Sequence, residues 1–289
     1  MPHDPHAPAA GWRLDHVDVD GTTLAYAARG DGIPIVCLHA TGHAKEDFSA
    51  LGDRVAGPYR WIAVDWPGQG ASGRDHRPAS ATRYAELLAR LLDALGLDAP
   101  ILLGNSIGGA AAIRCAADHP TRVRALVLAN PGGLAPVDAP TRAFCRMMTA
   151  FFRAGTRRRR WFRPAFALYY RTVLAAPGAH ARRAAIVAGG YDVAPVLAEA
   201  WASFARPEAD LRRAFAGLRC PVLLAWATGD RVVTLGRARA AIASLPHAEL
   251  HTFRGGHAAF LEDPAAFDTA LGGFLDRVGS AGVPKRRQA

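Results

Sequence analysis

A serine enclosed by glycines between a predicted strand and a predicted helix is the feature that most constrains the fold. Residues 101–103 are apolar, and Gly104-Asn105-Ser106-Ile107-Gly108-Gly109 then leads into an alanine-rich helical stretch. A serine in such a turn holds a strained backbone, and a side chain two positions away on either side would collide with it. The helix N-terminus also points free N–H groups at the serine. We therefore interpret Ser106 as a nucleophile and the N–H of Ile107 as one oxyanion donor.

Strand and helix patterns alternate along most of the chain. The sequence predicts strands at 12–18, 22–28, 34–38, 61–64, 101–103, 123–129, 222–227 and 248–253, and helices at about 45–55, 82–95, 106–118, 236–245 and 263–278. This alternation implies an α/β fold in which helices flank a mostly parallel central sheet. Between residues 134 and 216, only helical patterns of hydrophobic residues occur. We expect a core at 12–133 and 217–278, an all-helical insertion at 134–216, and flexible tails at 1–11 and 279–289.

Length and composition exclude several classes of protein. A chain of 289 residues, half of them hydrophobic, can bury a large core. No stretch approaches the roughly 18 to 20 apolar residues of a membrane span, and residues 1–11 lack the features of a signal peptide. Cys37, Cys115, Cys145 and Cys220 show no metal-ligand spacing. We expect a reduced, cytoplasmic protein with a small-molecule substrate, no metal, no cofactor and no stable membrane insertion; an oligomer is left open.

The net charge of +10 raises the question of nucleic-acid binding. Residues 134–216 hold fourteen arginines against five acidic residues, which accounts for nearly all of the excess. The run Arg157–Arg160 is compatible with a solvated turn, with steering of acidic substrates or with a membrane-surface contact. Because no nucleic-acid module or aromatic stacking pattern accompanies it, we expect no nucleic-acid partner.

A serine nucleophile needs a base and an acid that orients the base. In a parallel sheet both should follow the carboxyl ends of strands. Asp230 follows the strand at 222–227, and His257 follows the last strand, so these two residues are the candidates. Asp138 is an alternative acid, whereas Asn130 carries no charge.

The loop after the strand at 34–38 should supply the second oxyanion donor. We assign it to the N–H of Thr41, with Ala40 as the alternative. Five further residues are candidates for contact with the substrate, although packing inside the protein would explain the aromatic ones equally well. They are His43, Trp66, Phe144, Met148 and Phe260.

These motifs together resemble the α/β-hydrolase superfamily, over about residues 12–278 apart from the insertion. The segments that carry the resemblance are Leu38-His39-x-x-Gly42, Asp65-x-Pro67-Gly68-x-Gly70-x-Ser72, Gly104-x-Ser106-x-Gly108-Gly109, Gly229-Asp230 and Gly256-His257. The family order of nucleophile, acid and histidine matches Ser106, Asp230 and His257. The resemblance implies that the insertion is a cap over the site. His39-Ala40 stands where the family usually has His-Gly.

The resemblance implies a serine hydrolase that cleaves a carboxylic ester of a small or medium apolar substrate through an acyl-enzyme on Ser106. Serine at the elbow argues against haloalkane dehalogenases and epoxide hydrolases, which use aspartate there. The segments at 104–109 and 130–134 also look like carbon–carbon hydrolases of ring-fission dienoates, although the Ser-Gly-Pro-Gly type loop of those enzymes is absent. Thioester cleavage, acyl transfer to peroxide and a non-catalytic ligand receptor are further alternatives.

Overall fold

The apolar runs form one sheet. The computed structural model describes residues 11–280, and within them eight strands pair in the order β1-β2-β4-β3-β5-β6-β7-β8. The strands are β1 (Arg13–Val19), β2 (Thr22–Arg29), β3 (Ile33–Leu38), β4 (Tyr59–Val64), β5 (Ile101–Asn105), β6 (Ala125–Ala129), β7 (Val222–Ala227) and β8 (Ala248–Phe253).

The sheet is parallel from β4 to β8 and antiparallel only at one edge. β1 pairs antiparallel with β2 through a turn at Asp20 and Gly21, both of which have positive φ, and β2 pairs antiparallel with β4. The remaining pairs are parallel, with Leu38 opposite Gly104 in the register of β3 and β5. The predicted hairpin and the mostly parallel sheet are confirmed.

Helices cover both faces of the sheet. They are α1 (Ser49–Arg54), α2 (Ala81–Ala94), α3 (Ile107–Asp118), α4 (Ala139–Thr156), α5 (Phe162–Val173), α6 (His180–Ala188), α7 (Gly190–Phe204), α8 (Arg212–Ala216), α9 (Leu235–Ala243), α10 (Ala259–Glu262) and α11 (Pro264–Ser280). The helix expected at 45–55 is divided, because a 3₁₀ turn, Lys45–Phe48, precedes α1.

The central strands are buried on both faces, which explains their continuous apolar runs. Successive side chains point to opposite faces. Leu102, for example, packs with α2 and α3, whereas Leu103 packs with the layer that contains α1 and α11. The two hydrophobic layers therefore fix β5 from both sides, and β5 carries the serine turn.

The segment between β6 and β7 is helical, as predicted. It contains α4 to α8, and α4 packs along α7. Arg157–Arg160 form the exposed turn between α4 and α5, where Arg158 lies 3.1 Å from Asp192. We call residues 134–216 the helical insertion.

The predicted tails fall mostly on residues 1–10 and 281–289, which lie outside the described part of the chain. The last helix continues to Ser280, two residues beyond its predicted end. Within residues 11–280, no helix combines the length and the apolar character that crossing a membrane requires.

Candidate active site

Ser106 lies at the tip of the turn between β5 and α3. Its backbone has φ 55° and ψ −116°, a conformation that costs a non-glycine residue about 1–3 kcal/mol. The Ser106 N–H donates to Ala129 O at 3.1 Å, and its carbonyl accepts from Gly132 N at 3.0 Å. These bonds to the end of β6 hold the strained turn in place.

The glycines around Ser106 are required by close backbone contacts. A Cβ atom at Gly104 would lie 2.6 Å from backbone atoms of Gly108 and Gly109. A Cβ atom at Gly108 would overlap the carbonyl of Leu38 at the end of β3. The G-x-S-x-G pattern therefore lets α3 begin directly against β3 and β5. The colliding partners are these backbone atoms rather than the serine itself.

Asp230 and His257 meet at the carboxyl ends of β7 and β8. His257 Nδ1 lies 2.7 Å from Asp230 Oδ2, and both side chains are buried. The other oxygen, Oδ1, accepts from Val232 N at 2.7 Å and from Val233 N at 3.0 Å. Because the carboxylate has fixed donors on both oxygens, it holds one orientation toward the imidazole.

Two asparagines that the sequence did not mark support this pair. Asn130 Nδ2 donates to Asp230 Oδ2 at 2.6 Å, and Asn130 Oδ1 accepts from Ala227 N at 3.0 Å. Asn105 Nδ2 donates to the carbonyl of His257 at 2.9 Å. Asn130 has φ 43°, and asparagine tolerates this left-handed region better than most residues. Its position directly after β6 was the one available sequence signal.

The loop that carries His257 is also fixed by an acidic residue and by the helical insertion. Glu262 Oε2 accepts from Gly256 N, and Glu262 Oε1 accepts from Ala176 N, both at 2.8 Å. The His257 N–H donates to Val173 O, at the end of α5, at 2.6 Å. The insertion therefore contacts the backbone of the candidate base directly.

The loop after β3 lies on the other side of Ser106. His39 Nδ1 contacts Ala40 O at 2.7 Å, and His39 Nε2 accepts from Trp66 N at 3.0 Å. Burial lowers the pKa of His39, only partly opposed by Asp65, so the ring is neutral and donates from Nδ1. Gly42 N donates to Gln69 Oε1 at 2.5 Å. Hydrogen bonds to Trp66 and Gln69 therefore fix one side of the loop, and Ala40 and Thr41 line the cavity.

A cavity of about 340 Å³ joins these elements. Ser106, His257, Ala40, Thr41 and His43 line it, together with residues of the helical insertion. The insertion contributes mostly apolar side chains, among them Phe144, Tyr169, Leu197, Trp201 and Phe204. Ile107 is the first residue of α3, so its N–H has no acceptor within the helix. The cavity thus brings together the side chains of Ser106 and His257, the loop that follows β3 and an apolar surface from the insertion.

Two of the five predicted substrate contacts, His43 and Phe144, line this cavity. The other three predictions are corrected, because these side chains pack inside the protein. Trp66 stacks on Tyr84 with ring centroids 4.3 Å apart and donates from its indole N–H to His39 O. Met148 is buried in the hydrophobic layer that also contains α5. Phe260 stacks on Phe48 at 5.0 Å.

The alternative acid, Asp138, contacts Thr141 and Arg237. Asp138 caps α4 by accepting from Thr141 N at 3.0 Å, and it also pairs with Arg237 at 2.7 Å. The acid that contacts His257 is therefore Asp230. Among residues 11–280, no group of three or more histidine, cysteine, aspartate and glutamate side chains is placed to hold a metal ion.

Comparison with known proteins agrees with this geometry. Residues 35–270 match the model of the alpha/beta hydrolase family, and the chain belongs to that family. An esterase structure from Rhodococcus sp. ECU1013 is 25% identical, covers 93% of this chain and 100% of its own, and superposes with a TM-score of 0.75.

Two sequence relatives have other names. A 2-hydroxy-6-oxononadienedioate/2-hydroxy-6-oxononatrienedioate hydrolase from Burkholderia vietnamiensis is 29% identical, over 94% of this chain and 98% of the relative. A dihydrolipoyllysine-residue acetyltransferase component of the acetoin cleaving system from Cupriavidus necator is 33% identical over 40% of this chain. That match spans only 31% of the Cupriavidus protein.

Proposed function

We propose that this protein is a serine hydrolase that cleaves a carboxylic ester of a small or medium apolar substrate. One observation carries the proposal. Asp230 Oδ2 lies 2.7 Å from His257 Nδ1, and His257 lines the same apolar cavity as Ser106. A carboxylate, an imidazole and a serine hydroxyl in this arrangement are the groups that acyl transfer through a covalent intermediate requires.

In this mechanism, His257 takes the proton from Ser106 as the hydroxyl attacks the ester carbonyl. Asp230 holds the imidazole in the tautomer that leaves Nε2 free to accept the proton. The N–H groups of Ile107 and Thr41, or of Ala40 in place of Thr41, stabilise the oxyanion of the tetrahedral intermediate. His257 then protonates the leaving alcohol. A water molecule activated by the same histidine releases the acid from Ser106.

The size of the cavity favours a modest substrate. Ligand pockets usually range from about 300 to 1,000 Å³, and the cavity at Ser106 lies near the lower end of that range. Its aromatic and aliphatic lining suits an apolar acyl chain. We therefore infer that short and medium acyl esters are turned over better than long ones.

Carbon–carbon bond hydrolysis is the second candidate, and the relative from Burkholderia vietnamiensis favours it. The same serine, histidine and aspartate would serve that reaction. Arg231 and Arg237 line the cavity and would suit a substrate with a carboxylate, although Arg237 already pairs with Asp138.

Hydrolysis of p-nitrophenyl esters from acetate to laurate, measured beside a 2-hydroxy-6-ketodienoate, tests the proposal. We expect the wild type to cleave the esters, with an optimum among the shorter chains, and Ser106→Ala to abolish turnover. Cleavage of the dienoate alone would replace ester hydrolysis with the second candidate. Absence of both reactions, together with no labelling of Ser106 by a phosphonate, would reject a serine hydrolase.

We also propose a reducing, cytoplasmic location. All four cysteines are free and buried, and burial raises the pKa of the Cys145 thiol to about 11. A thiol of this kind is unreactive at neutral pH. Fractionation of the native cells, with detection by antibody, tests this location.

A further inference from the structure

A second histidine–carboxylate pair adjoins the cavity and has no part in the proposed mechanism. His43 lines the cavity together with Ser106, and its Nδ1 lies 2.6 Å from Asp47 Oδ2. The two side chains are 1% and 0% exposed. The His43 N–H donates to Ala40 O at 3.1 Å, which closes a four-residue turn around Thr41. The imidazole therefore lies on the oxyanion side of the site.

The carboxylate of Asp47 also contacts a cation from the helical insertion. Asp47 Oδ1 accepts a hydrogen bond from Arg182 Nε, which reaches it from α6 of the insertion. Burial opposes ionisation, but Arg182 and His43 hold the pKa of Asp47 below its usual range. The Asp47 charge is thus already balanced by Arg182. Asp47 is therefore an ionised carboxylate, which can only accept hydrogen bonds.

The neutral form of an imidazole has one donor and one acceptor nitrogen. Because the carboxylate of Asp47 faces Nδ1 and can only accept, Nδ1 carries the hydrogen in that form and Nε2 carries the lone pair. Nδ1 is occupied by Asp47, which leaves Nε2 as the ring nitrogen available to a ligand in the cavity. Tyr170, whose ring centroid lies 5.7 Å from that of His43, packs beside the imidazole and limits its rotation.

We propose that His43, in its neutral form, accepts through Nε2 a hydrogen bond from a hydroxyl group of the substrate, close to the scissile carbonyl, and thereby selects hydroxylated esters. The inference rests on the proposed ester hydrolysis and adds to it the class of substrate. Apart from the hydroxyls of Thr141, Tyr169 and Tyr170, the insertion side of the cavity is largely apolar, and a hydroxyl placed against its aliphatic or aromatic surface would lose its water without gaining a partner. Next to His43 the same hydroxyl gains an oriented acceptor.

The experiment compares three esters of similar size. Ethyl lactate carries the hydroxyl on the acid side, 2-hydroxyethyl propanoate carries it on the alcohol side, and ethyl propanoate carries none. We expect wild-type kcat/KM, measured by acid release in a pH-stat, to favour one hydroxylated ester by about tenfold, the upper range for one neutral hydrogen bond. The preferred ester shows which side of the scissile bond faces His43.

Variants at position 43 connect this preference to the imidazole. His43→Leu should lose the preference while keeping measurable hydrolysis of ethyl propanoate, and His43→Gln should recover part of it through its amide oxygen. His180→Leu makes the same chemical change at an exposed position at the start of α6 and should keep the wild-type ratio. If His43→Leu does not fold, His43→Phe removes the acceptor while keeping a planar ring.

Two results overturn the inference: a wild type with no preference, or a preference that persists without the imidazole. If the wild type cleaves none of the esters, the proposed function has failed and binding becomes the test. Calorimetric titration of Ser106→Ala with the three esters should then show tighter binding of one hydroxylated ester. Equal binding to Ser106→Ala and to Ser106→Ala/His43→Leu would reject the role of His43 independently of catalysis.

Discussion

At the residue scale, the proposed mechanism requires that Asp230 be held in a fixed orientation toward His257. Asn130 donates to the same oxygen, Oδ2, that contacts His257, at 2.6 Å. It shares this role with the N–H groups of Val232 and Val233, which bind Oδ1. Within residues 11–280, Asn130 is the one side-chain donor to this carboxylate other than the imidazole.

Asn130→Gly removes this donor without backbone strain, because glycine adopts the positive φ of position 130 freely. A hydrogen bond to a charged group contributes about 1.5–3 kcal/mol, so we expect kcat to fall by about tenfold or more. KM should change little, since Asn130 is buried beneath the cavity. Steady-state kinetics on the preferred ester measure both values. An unchanged kcat would mean that Val232 and Val233 alone orient Asp230.

Sequence patterns predicted Ser106, Asp230 and His257, because each lies near the carboxyl end of a strand and has glycine nearby, and the structure places Asp230 beside His257 and His257 at the same cavity as Ser106. The roles of Asn130 and Glu262 were missed, since Asn130 meets Asp230 across 100 residues of sequence and Glu262 meets Ala176 across 86 residues. Trp66, Met148 and Phe260 were wrong as substrate contacts for a related reason. Residue type shows that an aromatic or thioether side chain is buried, but not whether it faces the cavity or the interior.

His39 gives a prediction about pH and stability. Its folded-state pKa lies below the ordinary value of 6.5, first because of burial, so the unfolded chain binds the proton more readily. The free energy of unfolding should therefore be highest above about pH 6.5 and should fall as the pH drops below that value. Urea unfolding at several pH values measures this slope.

His39→Gln provides the comparison for this slope. The variant should be less stable at neutral pH, because it disturbs the contacts with Trp66 N and Ala40 O. Its stability should also decline less between about pH 7 and pH 5 than that of the wild type. Parallel slopes in the two proteins would assign the acid sensitivity to other groups.

At the scale of elements, the sequence predicted the approximate bounds of the strands but not their order in the sheet. β7 matches its predicted bounds, because a buried strand has a continuous apolar run with clear ends. β8, a largely exposed strand at the edge of the sheet, also matches its predicted bounds. The pairing of β3 between β4 and β5 depends on contacts between distant segments, which no local pattern records. The 3₁₀ turn before α1 was missed for the same reason, since Asp65 holds Lys45 N and Lys45 Nζ there.

The contact between α5 and the His257 loop gives the prediction at this scale. A Cβ atom at Gly256 would overlap Val173 O and lie 3.0 Å from Thr172 O, and these are backbone atoms that cannot rotate away. Gly256→Ala should therefore displace the His257 loop from α5. A shift of about 1 Å can cost about 100-fold in rate, so we expect a fall in kcat of tenfold to 100-fold.

Gly272→Ala is the matched control for Gly256→Ala. It lies within α11, and no atom within 4 Å would meet the added methyl group. Alanine is the better helix former, so this variant should keep full activity and gain up to about 1 kcal/mol of stability. Kinetics and urea unfolding of both variants measure the difference. Wild-type kcat in Gly256→Ala would show that the loop tolerates separation from α5.

At the scale of the whole molecule, charge is distributed unevenly. The helical insertion holds fourteen arginines and five acidic residues, so it carries a net charge of +9, whereas the net charge of the whole chain is +10. The insertion also lines much of the cavity. The positive charge is therefore concentrated in the segment that supplies much of the cavity lining, and a positive field raises the local concentration of anions.

This asymmetry predicts that salt affects charged and neutral substrates differently. Raising the ionic strength from about 0.01 M to about 1 M shortens the Debye length from about 30 Å to about 3 Å. We expect kcat/KM for monomethyl succinate, an anion, to fall severalfold over this range, while kcat/KM for dimethyl succinate stays nearly constant. Initial rates on the two esters measure the ratio directly.

Replacing Arg157–Arg160 with glutamine tests whether the insertion supplies this field. The four side chains are exposed and lie in the turn between α4 and α5, so the fold should persist. The salt dependence of the anionic ester should weaken in this variant. Replacing four arginines outside the insertion, Arg13, Arg60, Arg219 and Arg239, removes the same charge. This control variant should weaken the salt dependence less. Equal effects would mean that the net charge of the protein, rather than the location of arginines in the insertion, attracts the anion.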